Sequence, residues 1–215
     1  MPLDDLTRGE YQDGAQTRPV LIWRFGAPRR VVSSAPMGGG IGVRGWIINA
    51  QVPLSYARTD VDPHLRSIGA VNRCQGDGVG MLTAASVDLV THALDGDIHA
   101  WATVGLRIPT WAAAAPDAET VDTLHPGTIN VVVTVPRRLA DAALVNAVIT
   151  ATEAKTQALL EGGIDGSGTA SDAMCIVCPI EGTVEPFGGP RSLVGASVAR
   201  AVHEAVRRGI RTGRS

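Results

Sequence analysis

The hydrophobic and polar positions of this chain follow two patterns: short apolar runs, and apolar residues spaced three or four apart. Short runs rich in Val and Ile, closed by Gly or Pro, predict β-strands. Runs of this kind occupy 19–25, 29–35, 45–52, 99–106, 128–135 and 173–180. Pro53 and Pro136 close two of them, because proline cannot donate a hydrogen bond to a sheet.

The spacing of three and four residues predicts helices. The longest begins at Asp141 and ends at Gly162-Gly163, since glycine is the preferred residue after a helix C-terminus. A second amphipathic helix is predicted over 191–208, and a short one over 64–68. The same spacing over 79–93 predicts a further helix.

The order of these elements, strands first and helices interleaved later, does not follow strict βαβ alternation. It predicts an α+β fold, a layered α/β sandwich in which a mixed, largely antiparallel sheet is covered by helices. A four-layer αββα arrangement is one form of this fold. We expect a flexible N-terminal lead over 1–18, a single domain over 19–210 and a basic tail over 211–215.

Composition narrows the class of protein. Hydrophobic residues make up 45% of the chain, enough for a sizeable core, and the formal net charge is −2. Without a clustered basic face, no nucleic-acid partner is expected. No apolar run approaches the ~20 residues of a membrane-spanning helix, and the polar N-terminus lacks a signal-peptide pattern. These features predict a cytoplasmic protein with no membrane partner.

The cysteines and histidines show no spacing typical of a metal site. Cys175 and Cys178 lie within an apolar strand, where residues three apart point to opposite faces, so we expect buried structural thiols. The histidines, which share no ligand spacing, are His64, His92, His99, His125 and His203. We therefore predict no metal site from the spacing, although folding can unite distant residues.

Two polar segments are candidates for chemistry. Thr152, Glu153 and Thr156 lie in the long predicted helix, where spacings of three and four place them near one face. Residues 165–172 are small, hydroxyl-bearing and acidic, and they lead into the last strand, where backbone N–H groups can approach a ligand. An ordinary solvated helix stripe and a plain loop of Ser and Asx turns fit the two patterns equally well.

Polar residues within the predicted strands are a third set of candidates. Asn49 and Gln51 alternate with apolar neighbours, which places both amides on one face of their strand. Ser33-Ser34 end a strand, and Thr83 and Asn130 are polar within apolar segments. Such residues either line one pocket or satisfy their neighbours in the core, and the sequence leaves both open.

These segments resemble a known family in their order along the chain. The blocks are SSAPMGGG (33–40), NAQVP (49–53), GVGMLTAASV (78–87), ATVGL (102–106), PGTINVVV (126–133), AVITATEAKTQAL (147–159) and GTASDA (168–173). Together they resemble the adenosylcobinamide amidohydrolases over about residues 30–208, most specifically in TATEAKT and PGTIN. The resemblance implies hydrolysis of the amide that joins the aminopropanol arm to the corrin ring. The products would be adenosylcobyric acid and aminopropanol, a step of corrinoid salvage.

The same resemblance implies which residues form the site. The catalytic candidates are Glu153, Asp172, Thr152 and Lys155. Either carboxylate is a candidate base that activates water, a threonine hydroxyl is the alternative nucleophile, and Lys155 is a candidate proton donor to the amine. The substrate-binding candidates are Ser33, Ser34, Asn49, Gln51, Thr83, Asn130, Thr156, Gly168, Thr169 and Ser171. The corrinoid is the substrate, so no cofactor is implied; a metal requirement and a homo-oligomer are left open.

The chain departs from the family's pattern in two places. A TGTxTDA-like loop is replaced by SGTASDA (167–173), which keeps the hydroxyl of Ser171 and the carboxylate of Asp172. Pro190-Arg191-Ser192 and Gly195-Ala196 replace a Gly-x-His-Thr segment followed by Gly-Glu. Two alternatives therefore stay open: an amidase of the same fold that acts on another small amide, and a non-catalytic corrinoid-binding protein.

Overall fold

The computed structural model describes residues 6–115 and 127–213. Its strands are β1 (Leu6–Asp13), β2 (Gln16–Ser33), β3 (Gly40–Gln51), β4 (Gly78–Thr83), β5 (Thr91–Asp95), β6 (Ile98–Gly105), β7 (Thr128–Thr134), β8 (Arg138–Leu139), β9 (Ala173–Cys178) and β10 (Val184–Glu185). Its α-helices are α1 (Val61–Val71), α2 (Asp141–Glu161) and α3 (Leu193–Thr212), with a short 3-10 turn at Val87–Leu89. No helix in these ranges is long and apolar enough to cross a membrane.

The main sheet is mixed and bends along its two longest strands, β2 and β3. Its strand order is β4-β3-β2-β9-β7-β6-β5, with β1 beside the first half of β2. The pairs β3–β4 and β7–β9 are parallel, and the other neighbours are antiparallel. The register between β2 and β3 shifts between Arg24 and Arg29, and over Arg30–Ser33 β2 pairs with β9 instead of β1. Because such irregularities bend strands, the sheet forms two halves that face each other.

Three hydrophobic clusters define the layers. The first lies between the two halves and joins β2, β3 and β4 to β6, β7 and β9, with Val79 and Val132 among its members. On the outer side of one half, Leu65 and Ile68 of α1 pack against β2 and β3. On the outer side of the other half, α2 and α3 pack against β5, β6, β7 and β9. This arrangement confirms the layered α+β sandwich, in its four-layer αββα form.

The helix predicted over 79–93 is wrong, because this stretch contains β4, the 3-10 turn and β5. In β4, Val79 and Met81 point into the cluster between the sheet halves. The alternate positions are Gly78, Gly80 and Leu82, and a Cβ at Gly78 would meet the Trp46 ring at 2.1 Å. The period of two is therefore present, but it is concealed because two of the three positions on one face of the strand are glycines.

The flexible lead expected over 1–18 is corrected from Leu6 onward, since Leu6–Asp13 forms β1 and pairs with β2. The hairpin turns at Gly14, whose φ of +60° is a conformation that glycine adopts without strain. Tyr11, 4% exposed, is the only residue of β1 that is fully buried, so the strand has too weak an apolar pattern to be detected. At the other end, α3 runs to Thr212, within the stretch expected to be a basic tail.

The prediction for Cys175 and Cys178 is confirmed. Both are fully buried, Cys175 in the cluster between the sheet halves and Cys178 in the cluster under α2 and α3. Burial raises the pKa of the Cys175 thiol to about 12, which keeps it protonated. The two thiols are therefore core residues on opposite faces of β9.

The departing segment 190–196 builds the start of α3. The hydroxyl of Ser192 accepts the backbone N–H of Gly195 at 3.0 Å, as a helix N-cap does. Gly195 itself lies against the preceding loop: a Cβ there would lie 2.0 Å from the carbonyl oxygen of Gly189 and 2.3 Å from that of Gly188. The first turn of α3 can pack this closely only because the residue is glycine.

Replacing Gly195 with Ala is expected to lower the free energy of unfolding by about 1–3 kcal/mol, the usual effect of overpacking. Backbone atoms oppose the new methyl group, so the helix or the loop must move. Urea unfolding measures the change, and Gly45→Ala is the control, because a Cβ there meets nothing closer than 3.7 Å. Equal stability of the two variants would show that the loop yields without cost.

Candidate active site

A cavity of about 340 Å³ lies where β3 and β4 end and β7 and β9 begin. Its apolar lining is Pro36, Val52, Pro53, Leu54, Val61, Met81, Leu82, Ala84 and Ala173. Its polar lining is Ser34, Tyr56, Thr83, Thr128, Asn130 and Ser171. A mostly apolar wall with a few placed polar groups is typical of sites that bind small molecules.

Four predicted substrate-binding residues meet at this cavity: Ser34, Thr83, Asn130 and Ser171. They come from the turn after β2, the end of β4, the strand β7 and the loop before β9. These segments are far apart in sequence, and the bend of the sheet brings them together because it places β4 opposite β7.

A buried hydrogen-bond network joins the two sheet halves beside the cavity. Asn49 Nδ2 donates to Thr103 Oγ1 at 2.9 Å, and Asn130 Nδ2 donates to Asn49 Oδ1 at 2.9 Å and to the Leu82 carbonyl at 2.8 Å. A backbone carbonyl only accepts, so it sets the orientation of the Asn130 amide. The Oδ1 atom of Asn130 then has no donor among the described residues. Buried acceptors without a donor are uncommon, and each calls for an explanation such as a bound group.

Two hydroxyl groups of the cavity are held by backbone N–H groups. Ser34 Oγ accepts from Met174 N at 3.0 Å, and Thr83 Oγ1 accepts from Ala85 N at 3.1 Å. Within the described part of the chain, neither hydroxyl donates to a protein acceptor at hydrogen-bond distance. Both O–H groups are therefore available to donate to a ligand in the cavity.

Lys155 and Asp172 are brought together, although neither lines the cavity. They form an ion pair whose side chains are 6% and 13% exposed. The same carboxylate accepts the backbone N–H groups of Ile129, at 2.9 Å, and Thr169, at 3.2 Å, and the Thr169 hydroxyl. Because its oxygens already have these partners, Asp172 anchors the start of β7 to the loop before β9.

The remaining catalytic candidates lie on the outer side of α2. Thr152 and Glu153 are exposed, and Thr152 Oγ1 donates to a carbonyl of its own helix at 2.8 Å. Glu153 borders a separate recess with Pro190 and His203. Thr156 Oγ1 donates to a carbonyl of the 165–172 loop at 3.0 Å. The structure does not bring Glu153 to the same cavity as the binding candidates, and the catalytic roles of these residues stay predictions.

The other predicted binding residues have hydrogen bonds or contacts of their own. Ser33 Oγ donates to a carbonyl of β9 at 2.9 Å, and Gln51 Oε1 accepts a backbone N–H of the 3-10 turn at 3.0 Å. A Cβ at Gly168 would lie 2.5 Å from Lys155 Nζ, so glycine lets this loop close over the ion pair. Their roles in binding stay predictions.

Sequence reasoning did not select Tyr56 or Thr128, which also line the cavity. Thr128 shares a 2.8 Å hydrogen bond with Ser171, and it lies within the PGTIN block, two residues before Asn130. Tyr56 lies in a polar, Pro-rich loop with no periodic pattern, so no signal in the sequence identified it. An aromatic side chain in an otherwise polar loop is the one feature of the sequence that could have suggested Tyr56 as a candidate.

Comparison with known proteins adds to this geometry. The family model described as Adenosylcobinamide amidohydrolase matches residues 3–215. The chain belongs to the adenosylcobinamide amidohydrolase family. This family is the one that the sequence blocks resemble.

Two curated relatives have the same description. The adenosylcobinamide amidohydrolase of Halobacterium salinarum is 37% identical over 134 residues, which cover 61% of this chain and 58% of that protein. The adenosylcobinamide amidohydrolase of Methanosarcina mazei is 28% identical over 187 residues, which cover 82% of this chain and 88% of that protein. The chain thus matches little more than half the length of the first relative and most of the second.

Proposed function

We propose that the protein hydrolyses the amide between the aminopropanol arm and the corrin ring of adenosylcobinamide. The products are adenosylcobyric acid and aminopropanol, and water is the co-substrate. The observation that carries this proposal is the convergence of Ser34, Thr83, Asn130 and Ser171 on one cavity, in a chain whose family is described by that activity.

The size of the cavity supports a particular pose of the substrate. At about 340 Å³ it is at the lower end of the range for small-molecule sites, roughly 300–1,000 Å³. A corrin macrocycle does not fit in this volume, whereas the aminopropanol arm and its amide do. We therefore place the arm and the amide in the cavity, with the corrin ring outside its opening.

The polar groups of the cavity suit the reacting amide. Hydrolysis passes through a tetrahedral intermediate with a negatively charged oxygen, which preorganised donors stabilise. The O–H groups of Ser34 and Thr83 are such donors, because backbone N–H groups already fix their oxygens. Asn130 Oδ1, which has no donor among the described residues, is an acceptor for the amide N–H of the substrate.

The proposal is tested by incubating the purified protein with adenosylcobinamide and measuring both products by chromatography and mass spectrometry. A parallel reaction with a chelator tests a metal requirement, and cobinamide without the adenosyl group tests whether that group is needed. The expected result is equal amounts of adenosylcobyric acid and aminopropanol. Tight corrinoid binding without product would favour a binding protein, and turnover of another amide would favour the alternative amidase.

The Glu153→Gln variant tests whether the reaction takes place in the cavity or in the separate recess on α2. This variant removes one charge beside Pro190 and His203 and leaves the cavity unchanged. We expect product formation to continue at a rate comparable to that of the unmodified protein. A large loss of activity in a folded Glu153→Gln variant would indicate that the reaction takes place in the recess and not in the cavity.

A further inference from the structure

We propose that Tyr56 and His64 carry the proton in this amide hydrolysis, with Tyr56 as the catalytic residue and His64 acting through it. This inference rests on the proposed function. Tyr56 lines the cavity, and its hydroxyl oxygen lies 2.9 Å from His64 Nδ1. The two rings are stacked at 17° with their centroids 5.7 Å apart. Tyr56 thus connects the cavity to an imidazole that does not line it.

The other ionisable groups are poorly placed for this task. Among the described residues that line the cavity, Tyr56 is the only one whose side chain titrates. Asp172 and Lys155 are tied to each other outside the cavity lining, and Glu153 borders the separate recess. Amide hydrolysis needs one group that takes a proton from water and one that gives a proton to the amine. Tyr56 with His64 is the arrangement at the cavity that can do both.

Both residues are held in place by the fold. The backbone N–H of Tyr56 donates to Pro53 O at 3.0 Å, which closes a turn after β3. His64 lies in the first turns of α1, is 8% exposed and precedes Leu65, which packs in the core. On its other side, the ring of Tyr11 lies edge-on to His64 with centroids 5.7 Å apart. The fold therefore holds the Tyr56 hydroxyl and the His64 imidazole in contact.

The charge state of His64 suits a base. Burial lowers the pKa of His64, and the nearby Arg58 lowers it further, while Asp13 of β1 and Asp60 of the preceding loop act in the opposite sense. The pKa of the Tyr56 phenol is raised by burial, so the phenol keeps its proton. At neutral pH the pair is therefore a neutral phenol beside a neutral imidazole, with the imidazole proton on Nε2 when Nδ1 accepts.

The proton balance of the reaction follows from this arrangement. As water attacks the amide carbon, its O–H bond breaks and the proton passes to Tyr56 Oη, while the phenol proton passes to His64 Nδ1. A C–O bond forms, and the carbonyl oxygen takes the negative charge. When the C–N bond breaks, the proton returns from His64 through Tyr56 to the nitrogen of the leaving amine. Net addition of one water gives the carboxylic acid and aminopropanol, and the pair ends in its starting state.

Tyr56→Phe tests the hydroxyl while keeping the ring. We expect kcat to fall about 100-fold or more, the range of general acid–base catalysis. The affinity of the variant for the corrinoid is expected to be unchanged. Tyr11→Phe is the matched control, since it makes the same substitution at the other of the chain's two tyrosines. Tyr11 also contacts the His64 ring, but its hydroxyl donates to Gln51 O at 2.8 Å and it does not line the cavity. This control is expected to keep the unmodified kcat.

The pH profile tests His64. The reaction needs neutral His64, and its pKa is lowered, so kcat/KM of the unmodified protein is expected to be constant at neutral pH. It should fall as the pH drops through a value below 6.5. His64→Gln should lower kcat and remove this acidic limb, whereas Tyr11→Phe should keep it. A merely structural role for His64 would lower activity without removing the limb.

The outcomes separate the inference from the proposed function. No product from the unmodified protein contradicts the proposed function and with it this inference. Product from the unmodified protein, with an undiminished kcat in Tyr56→Phe or an unchanged acidic limb in His64→Gln, overturns the inference alone. If Tyr56→Phe fails to fold by circular dichroism, the His64→Gln profile decides.

Discussion

Replacing Lys155 with Met is expected to lower the free energy of unfolding by about 3–5 kcal/mol. The substitution keeps the length and apolar stem of the side chain but removes the cation paired with Asp172. The carboxylate, 13% exposed, then keeps only the neutral donors of Ile129 and Thr169. Removing one partner of a buried pair leaves an uncompensated charge, which is far more destabilising than losing a surface pair.

Arg66→Met is the matched control for this prediction. Arg66 pairs with Asp62 on the surface of α1, with side chains 62% and 42% exposed. Exposed pairs contribute about 0–1 kcal/mol, so the control should unfold at nearly the same urea concentration as the unmodified protein. If Lys155→Met cost no more than Arg66→Met, the ion pair would not be what holds the 168–172 loop against β7.

Asn130→Asp is expected to lower the free energy of unfolding by about 3 kcal/mol, because one buried and one partly buried acceptor lose their donor at about 1–3 kcal/mol each. In the wild-type protein, Asn130 Nδ2 donates to Asn49 Oδ1 and to the Leu82 carbonyl. Aspartate has the same shape but faces both of these oxygens with an acceptor of its own. The change also alters the polar wall of the cavity, so we expect loss of amide hydrolysis in protein that remains folded.

Asn72→Asp controls for the chemistry of this change. The Asn72 amide also donates to two backbone carbonyls, those of Glu10 at 3.1 Å and Ile68 at 2.9 Å, but at a partly exposed position. Water can replace its hydrogen bonds, so the destabilisation should be smaller. Urea unfolding of both variants measures the difference. An equal loss of unfolding free energy in the two variants would show that burial between the sheet halves does not increase the cost of the substitution.

The layered fold could be predicted because most elements carry a complete local pattern. The helix from Asp141 has an apolar stripe and a closing glycine, and the structure confirms it at Asp141–Glu161. The strand β4 was assigned to the wrong class because two of its three outward positions are Gly78 and Gly80, where a side chain would collide with Trp46 and Met37. With Leu82 as the only side chain on that face, the alternation that identifies a strand is incomplete.

The candidate site was only partly predictable for a different physical reason. Alternation places Asn49 on one face of β3, but its contact with Asn130 depends on the bend in the sheet, which joins residues far apart in sequence. The spacings of Thr152 and Glu153 to Thr156 place the three side chains near one face of α2, but none of them lines the cavity. No local sequence pattern marks Tyr56 as a candidate, because its proposed role depends on His64, which α1 places beside it in the folded protein.

The central claim is that the amide is cleaved in the cavity at the ends of β3 and β4. The most direct measurement is aminopropanol release from adenosylcobinamide by the unmodified protein, Ala84→Phe and Ala70→Phe. Ala84 lines the cavity and Ala70 is exposed on α1, so the same substitution fills the cavity in one variant and changes only the surface in the other. We predict unmodified release from Ala70→Phe and a loss of about 100-fold from folded Ala84→Phe, because the amide can no longer reach its position. Undiminished release from Ala84→Phe would contradict the account.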